Sequence, residues 1–296
     1  FLINDLSING DNYGNLNLDI SKPLNEPLES ILSIENNETK LAIKSTLVYD
    51  PDSKVLLSNI KGRKVPLKFL EYILVDGVSD VKGYVDVDGT IEGTTNNIKI
   101  NADGTAYQGN VKVVYLGENY RFDNQKFKIS ENFIDLTGSL LYDSEGNEGV
   151  ITGGLTHRLF KNFGVNANIE GENVIAINTT KADNPIYYGK GKGQISVDIT
   201  GPVNKINMVI NAVTRQGTQL NIPITESAIT ANKNIITFID KDTFFSKDGS
   251  AGKDTTITVS GMNIEMNLTL TTDAQINMIF DETIGDVIKG RGNGNL

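Results

Sequence analysis

The sequence predicts an all-β protein, an elongated, curled, antiparallel-type sheet with an apolar inner face and at most one or two short helices. The first observation is period-two alternation. Asn263-Ile264-Glu265-Met266-Asn267-Leu268-Thr269-Leu270 places an apolar residue at every second position, as do Asn97–Ile100, Gln194–Ile199 and Lys205–Ile210. Alternation of this kind puts apolar side chains on one face of a strand and polar ones on the other. The second is spacing, since such segments recur about every ten to fifteen residues between turn signals. Those signals include Asp88-Gly89, Asp103-Gly104, Glu145-Gly146-Asn147 and Asp248-Gly249, where Gly or Asn accepts positive φ. The third is composition. Hydrophobic residues make up 39% and tryptophan is absent, a low apolar share that favours an extended shape with an aliphatic interior.

Taken in order, residues 1–63 read as a β-rich segment. Residues 64–80 read as a short amphipathic helix or linker, because apolar residues fall at 66, 67, 69, 70, 73 and 74, with Pro66 suited to a first turn and Gly77 to a stop. Residues 81–296 return to alternation. Pro185, Pro202 and Pro223 fall at strand edges or turns, where no ladder bond is lost. One apolar face must be covered, by a second sheet or by something else apolar. Periodicity does not separate a closed sandwich from an open trough, and of the two the sandwich is the commoner arrangement.

The net charge of −10 argues against nucleic acid, which needs a basic stripe, and against electrostatic docking on anionic lipid headgroups, so a lipid partner is expected to be held by its tails. The absence of cysteine removes disulfides, thiolate metal sites and cysteine nucleophiles. No apolar run approaches the ~20 residues that span a bilayer. The chain opens inside a strand, as a piece of a longer protein would.

No catalytic set converges, and the chain is expected not to be an enzyme. His157, the one histidine, has no nucleophile elbow beside it and reads as a packed or surface residue. Asp86/Asp88 and Glu145/Glu148 could be acid–base pairs, and Asp143-x-Glu145-x-Asn147 resembles an oxygen-ligand loop. It lacks the glycine and distal glutamate of an EF-hand, so an acidic hairpin turn is the better reading and no metal or cofactor is expected. Gly290-Arg291-Gly292-Asn293-Gly294 is not followed by the helix a phosphate cradle requires.

Several motifs occur in a defined succession: Gly154-Leu155-Thr156-His157-Arg158-Leu159-Phe160, Asn178-Thr179-Thr180, Tyr187-Tyr188-Gly189-Lys190-Gly191, Gly201-Pro202, Ala212-Val213-Thr214-Arg215-Gln216-Gly217-Thr218 and Ile222-Pro223-Ile224. The last is Phe280-Asp281-Glu282-Thr283-Ile284-Gly285-Asp286-Val287-Ile288, running into the glycine-rich tail that ends at Leu296. In this order, over roughly 82–296, they resemble the C-terminal domain of the TamB family, the inner-membrane component of the translocation and assembly module; the Asn-rich composition is similar to Bacteroidetes members. The resemblance implies a β-taco with an apolar inner groove, as in the AsmA-like bridge proteins, shielding phospholipid acyl chains between inner and outer membranes. It also implies a periplasmic location, an N-terminal membrane anchor outside this sequence and a TamA-type outer-membrane barrel as partner.

Under that reading the groove lining follows from alternation: Ile98, Ile100, Val111, Val113, Tyr115, Ile134, Leu136, Ile175, Ile177, Ile195, Val197, Ile199, Ile206, Met208, Ile210, Ile264, Met266, Leu268, Leu270, Ile276, Met278 and Phe280. Some of these are expected to be closed core, because both faces of certain strands carry apolar groups. Two alternatives stand beside it. One is a scaffold for outer-membrane protein assembly that pairs its sheet edge with client strands, and the other is an extracellular β-sandwich for glycan binding or adhesion.

Overall fold

The computed structural model describes residues 1–74, 77–94, 96–185, 187–223, 257–259, 262–281 and 286–295. The Asp248-Gly249 turn, Ile224, the motif residues 282–285, Leu296 and residues 75 and 76 of the expected helix segment lie outside the described residues. The fold is all-β and elongated, one large sheet with a single short helix.

The first strands are β1 (Leu2–Ile8), β2 (Asp11–Ser21), β3 (Leu28–Asn36), β4 (Leu41–Asp50) and β5 (Val55–Pro66). A turn of 3-10 helix (Leu67–Phe69) and the one-turn α1 (Leu70–Ile73) follow. Next come β6 (Val78–Thr94), β7 (Asn97–Val113), a second 3-10 turn (Val114–Leu116), β8 (Glu118–Phe122), β9 (Gln125–Ile129), β10 (Phe133–Asp135) and β11 (Leu140–Tyr142). The remainder is β12 (Glu148–Arg158), β13 (Lys161–Thr179), β14 (Tyr188–Pro202), β15 (Ile206–Thr214), β16 (Gln219–Pro223), β17 (Ile257–Val259), β18 (Met262–Leu270), β19 (Gln275–Asp281), β20 (Asp286–Gly290) and β21 (Gly294–Asn295). Strand β5 runs past residue 63 and pairs with β6, so the sheet continues without a break from the first segment into the third.

Residues opposite each other in a ladder share a face, and the register therefore fixes two faces. On one, a rung crosses eleven strands as Leu18, Leu32, Ser45, Ile60, Gly89, Ala102, Ile129, Ile134, Leu155, Val165 and Gly201. Ser45 is its only polar side chain. One residue away, on the other face, a rung crosses thirteen strands as Asn17, Ser33, Lys44, Lys61, Asp88, Asp103, Lys128, Asp135, Gly154, Asn166, Thr200, Asn207 and Asn263. That face is polar throughout, and Lys128 and Asp103 form an exposed cross-strand ion pair at 2.8 Å.

From β6 onward the long strands are bent. Strand β7 pairs through residues 102–106 with β9 and through 109–113 with β8, whereas β12 pairs through 154–156 with β10 and through 148–150 with β11. Strand β14 pairs through 193–200 with β15 and through 188–190 with β16. The sheet thus has two arms joined at the bends. In β13 the bend is a bulge between Gly171 and Val174. A Cβ on Gly171 would lie 2.3 Å from the Val174 side chain and 2.8 Å from the Glu148 carbonyl, so glycine is required there.

The expected antiparallel pairing holds except at two joints, β15 with β18 and β16 with β19, which are parallel. Ile206 faces Met262 and Gln219 faces Gln275, so both joints carry one offset of 56 residues. The stacked units repeat the same asparagines: Asn263, Asn267 and Asn277 donate through Nδ2 to the Oδ1 of Asn207, Asn211 and Asn221 at 2.9, 3.0 and 2.8 Å. Like residues stacked in register form such amide ladders.

The expected amphipathic helix is present but reduced to residues 67–73. So short a helix cannot stand alone. It is held by Leu67, Phe69 and Leu70 packing with Val81, Val85 and Ala106, and by Lys68 and Tyr72, which bind the Asp11 carboxylate at 2.7 and 3.0 Å.

Candidate functional site

The two arms close on each other in the C-terminal half. Val174, Ala176 and Ile177 of β13, Ile195 and Val197 of β14 and Met208, Ile210 and Ala212 of β15 form one buried cluster with Leu116 and Tyr120. Ile264, Met266 and Leu268 of β18 pack against it. Within it is an apolar cavity of about 80 Å³, about half the size of an engineered protein cavity that holds benzene. It is lined by Val111, Val113, Leu116, Tyr120, Leu141, Gly149, Ile169, Val174, Ala176, Ile195, Val197, Ile199, Met208 and Ile210.

Of the residues expected from alternation, Val111, Val113, Ile195, Val197, Ile199, Met208 and Ile210 line this cavity. Ile177, Ile264, Met266 and Leu268 belong to or pack on its surrounding cluster. The others lie elsewhere. Ile98, Ile100 and Ile134 sit on the apolar face of the first arm, opposite Gly93, Ile91 and Leu155. Ile206 pairs with Met262, and Ile276 and Met278 pair with Leu220 and Ile222. Tyr115 is in the 3-10 turn, Leu136 follows β10, and Leu270 is half-buried at the end of β18. Phe280 is 41% exposed. Ile175 is fully buried but stands outside both cavity and cluster.

The cause of that last difference is the bulge. Register shifts at Gly171/Val174 and Ile175/Ile177 exchange the faces, so Val174 and Ala176 reach the cavity instead of Ile175. Alternation counted straight through a bulge inverts the side chains that follow it, here until the second shift returns Ile177 to the cluster. Leu116 lies in a turn, outside the alternating pattern altogether. The signal that could have located the bend is the Gly171 position itself, ahead of four consecutive apolar residues.

A buried polar seam holds the second arm in place. Asp143 and Glu118 are both fully buried. Asp143 accepts hydrogen bonds from the backbone N–H of Ile175 at 2.9 Å, Glu145 at 2.9 Å and Asn147 at 2.8 Å. Glu118 accepts from the Ser144 N–H and the Asn178 amide, both at 2.8 Å. The Tyr120 hydroxyl donates to the Ile175 carbonyl at 2.9 Å, and burial pushes the Tyr120 hydroxyl well above the ordinary tyrosine range, with the Glu118 and Asp143 charges adding to it. The acidic turn 143–147 is therefore a structural corner whose carboxylate is spent on backbone amides. Glu145 faces outward to Lys190 and to Lys192 at 2.7 Å, and those hydrogen bonds hold its carboxyl down at about 2.

The other titratable candidates have local duties. Asp86 accepts from the Lys64 N–H at 2.7 Å and the Tyr107 hydroxyl at 3.0 Å, and Asp88 pairs with Arg63. Glu148 accepts from the Tyr142 hydroxyl at 3.2 Å. His157 is 5% exposed, stacked on Phe160 at 4.8 Å, with its Nδ1 accepting from the Phe160 N–H at 3.2 Å. Burial lowers its pKa. Among the described residues, no group of three or more His, Cys, Asp or Glu side chains is placed to hold a metal ion.

Among the described residues, the cavity and the cluster around it are lined by apolar side chains. Compared with known proteins, residues 135–296 match a family model described as the TamB C-terminal domain. No curated protein and no solved structure matches the chain.

Proposed function

This chain belongs to the TamB family, and from that premise we propose that it is a non-enzymatic periplasmic segment that shields phospholipid acyl chains on its apolar face, serving transport between inner and outer membranes. The family places it with the translocation and assembly module and, in general terms, with a TamA-type barrel partner. No helix among the described residues is long and apolar enough to cross a membrane.

The observation that carries the reading is the apolar rung across eleven strands set against the polar rung across thirteen. At ~4.8 Å per strand, that rung gives a continuous greasy path of about 50 Å. Each methylene transferred from water to such a surface contributes roughly 0.8 kcal/mol, so one acyl chain is held by several kcal/mol. A wall that is apolar at every position but Ser45 changes that energy little from place to place, which permits sliding. In the closed half, the 80 Å³ cavity accepts only a short stretch of chain unless the arms part.

The test is photo-crosslinking with a benzophenone amino acid at Leu32 and Met266 on the apolar face and at Lys44 on the polar face. Phospholipid adducts at Leu32 and Met266 but not at Lys44 support the proposal. Equal labelling of both faces, or none, overturns it.

A further inference from the structure

We propose that the β12–β13 hairpin tip is a docking element for a phospholipid bilayer surface, placed to set the apolar face against the membrane. This rests on the lipid reading above and adds where the bilayer meets the sheet.

The turn is unusual for its residues. Arg158 pairs with Lys161 across a two-residue loop, Leu159-Phe160, and both loop residues have positive φ, 51° and 58°. That is a type I′ turn, which favours Asn-Gly. A β-branched or bulky residue in this region is a steric outlier, and such outliers point to function. The two side chains are not used in packing the interior: Leu159 is 42% and Phe160 46% exposed.

The tip is braced. The His157 N–H donates to the Asn132 carbonyl at 2.9 Å, and the Leu159 N–H to the Glu131 carbonyl at 3.2 Å. The Val203 N–H donates to the Phe163 carbonyl at 3.0 Å from the next turn. His157 supports the Phe160 ring from below. A strained, exposed apolar pair is thus held out rigidly from the rim of the sheet.

Charge agrees. Arg158 and Lys161 flank the pair and Lys205 lies in the adjoining β14–β15 turn, all exposed and none in an ion pair among the described residues. Glu131 is the one acid in the neighbouring β9–β10 turn. The chain as a whole carries −10, but at physiological salt charges beyond about 8 Å are screened, so three local cations decide what the tip meets. Apolar side chains flanked by cations suit the phosphate level of a bilayer. Leu155 and Val165 of the apolar rung lie on the two strands just below the tip, so insertion brings that face to the headgroups.

The chain has no tryptophan, so Phe160→Trp gives a single reporter, with Ile8→Trp, 47% exposed at the end of β1 on the opposite rim, as control. With vesicles of phosphatidylglycerol and phosphatidylcholine, the Phe160→Trp emission should shift to the blue and resist iodide quenching, more strongly with phosphatidylglycerol, while the Ile8→Trp emission stays unchanged. The Leu159→Asn/Phe160→Gly variant keeps the turn type and should lose roughly tenfold or more in co-sedimentation with these vesicles at an unchanged circular dichroism spectrum. Unshifted emission from Phe160→Trp, or unaltered co-sedimentation of the double variant, overturns the proposal, and the first result would point to a protein pocket instead. Crosslinking at Leu32 reports the groove separately, so failure at the tip and failure of the lipid reading remain distinguishable.

Discussion

The two halves of the sheet use one register pattern to different ends. In β2–β5 the apolar face is a single wall: Leu18, Leu32, Leu47 and Ile60 are all only half-buried. In β13–β15 the same face is folded against a second arm, and Ile195, Val197, Met208 and Ile210 are 1–5% exposed. The difference comes from strand length and breakage. Strands β2–β5 have 9 to 12 residues, whereas β13 has 19 and a bulge between Gly171 and Val174, and the short strands β8, β11 and β16 complete its opposing arm. A wall becomes a core when the strands are long enough to bend over it.

The largest effect that would break this comparison is a charge on each surface. Ile210→Asp places an unpaired carboxylate in the closed half and is expected to cost about 4 kcal/mol or more, read as loss of the cooperative urea transition. Ile60→Asp, on the open wall, is expected to cost about 1 kcal/mol. Equal losses would mean that the two halves are one core.

Asp143→Ala removes the acceptor shared by the amides of Ile175, Glu145 and Asn147, with an expected loss of about 2–3 kcal/mol and detachment of the second arm. Hydrogen exchange should then rise at residues 174–177 while β2–β5 are unchanged. Asn211→Ala removes one rung of the exposed amide ladder and should cost only about 0.5–1 kcal/mol in a denaturant titration.

The smallest effect is a pH dependence confined to the bent half. His157 has a folded pKa below its ordinary value of 6.5, so the unfolded chain binds the proton more readily. Stability is therefore unaffected above about pH 6.5 and falls as the pH drops below it. His157→Gln should flatten that slope in thermal melts between pH 7 and 5. An unaltered slope would assign it to carboxylates.

Much of this was legible from the chain alone. Alternation at 97–100, 194–199, 205–210 and 263–270 identified β7, β14, β15 and β18 and their apolar faces. Pro66 and the apolar spacing after it located the helical turn. What alternation could not carry was the bend. It assigned Ile175 to the cavity face because it has no term for a bulge, and it passed over Leu116 and Tyr120 because the opposing arm is assembled from a turn and short strands. The parallel joints were also invisible, since pairing 206–213 with 262–269 depends on contacts far apart in sequence. The 56-residue echo of Asn207, Asn211 and Asn221 in Asn263, Asn267 and Asn277 was nevertheless present to be read.

That echo has a consequence for size. Two units stacked with like residues facing like are interchangeable layers, each adding one strand spacing of ~4.8 Å to each arm without altering the cross-section. Length becomes a matter of copy number, so a gene could lengthen such a molecule by duplication alone, and reach could change while the interior profile stayed constant.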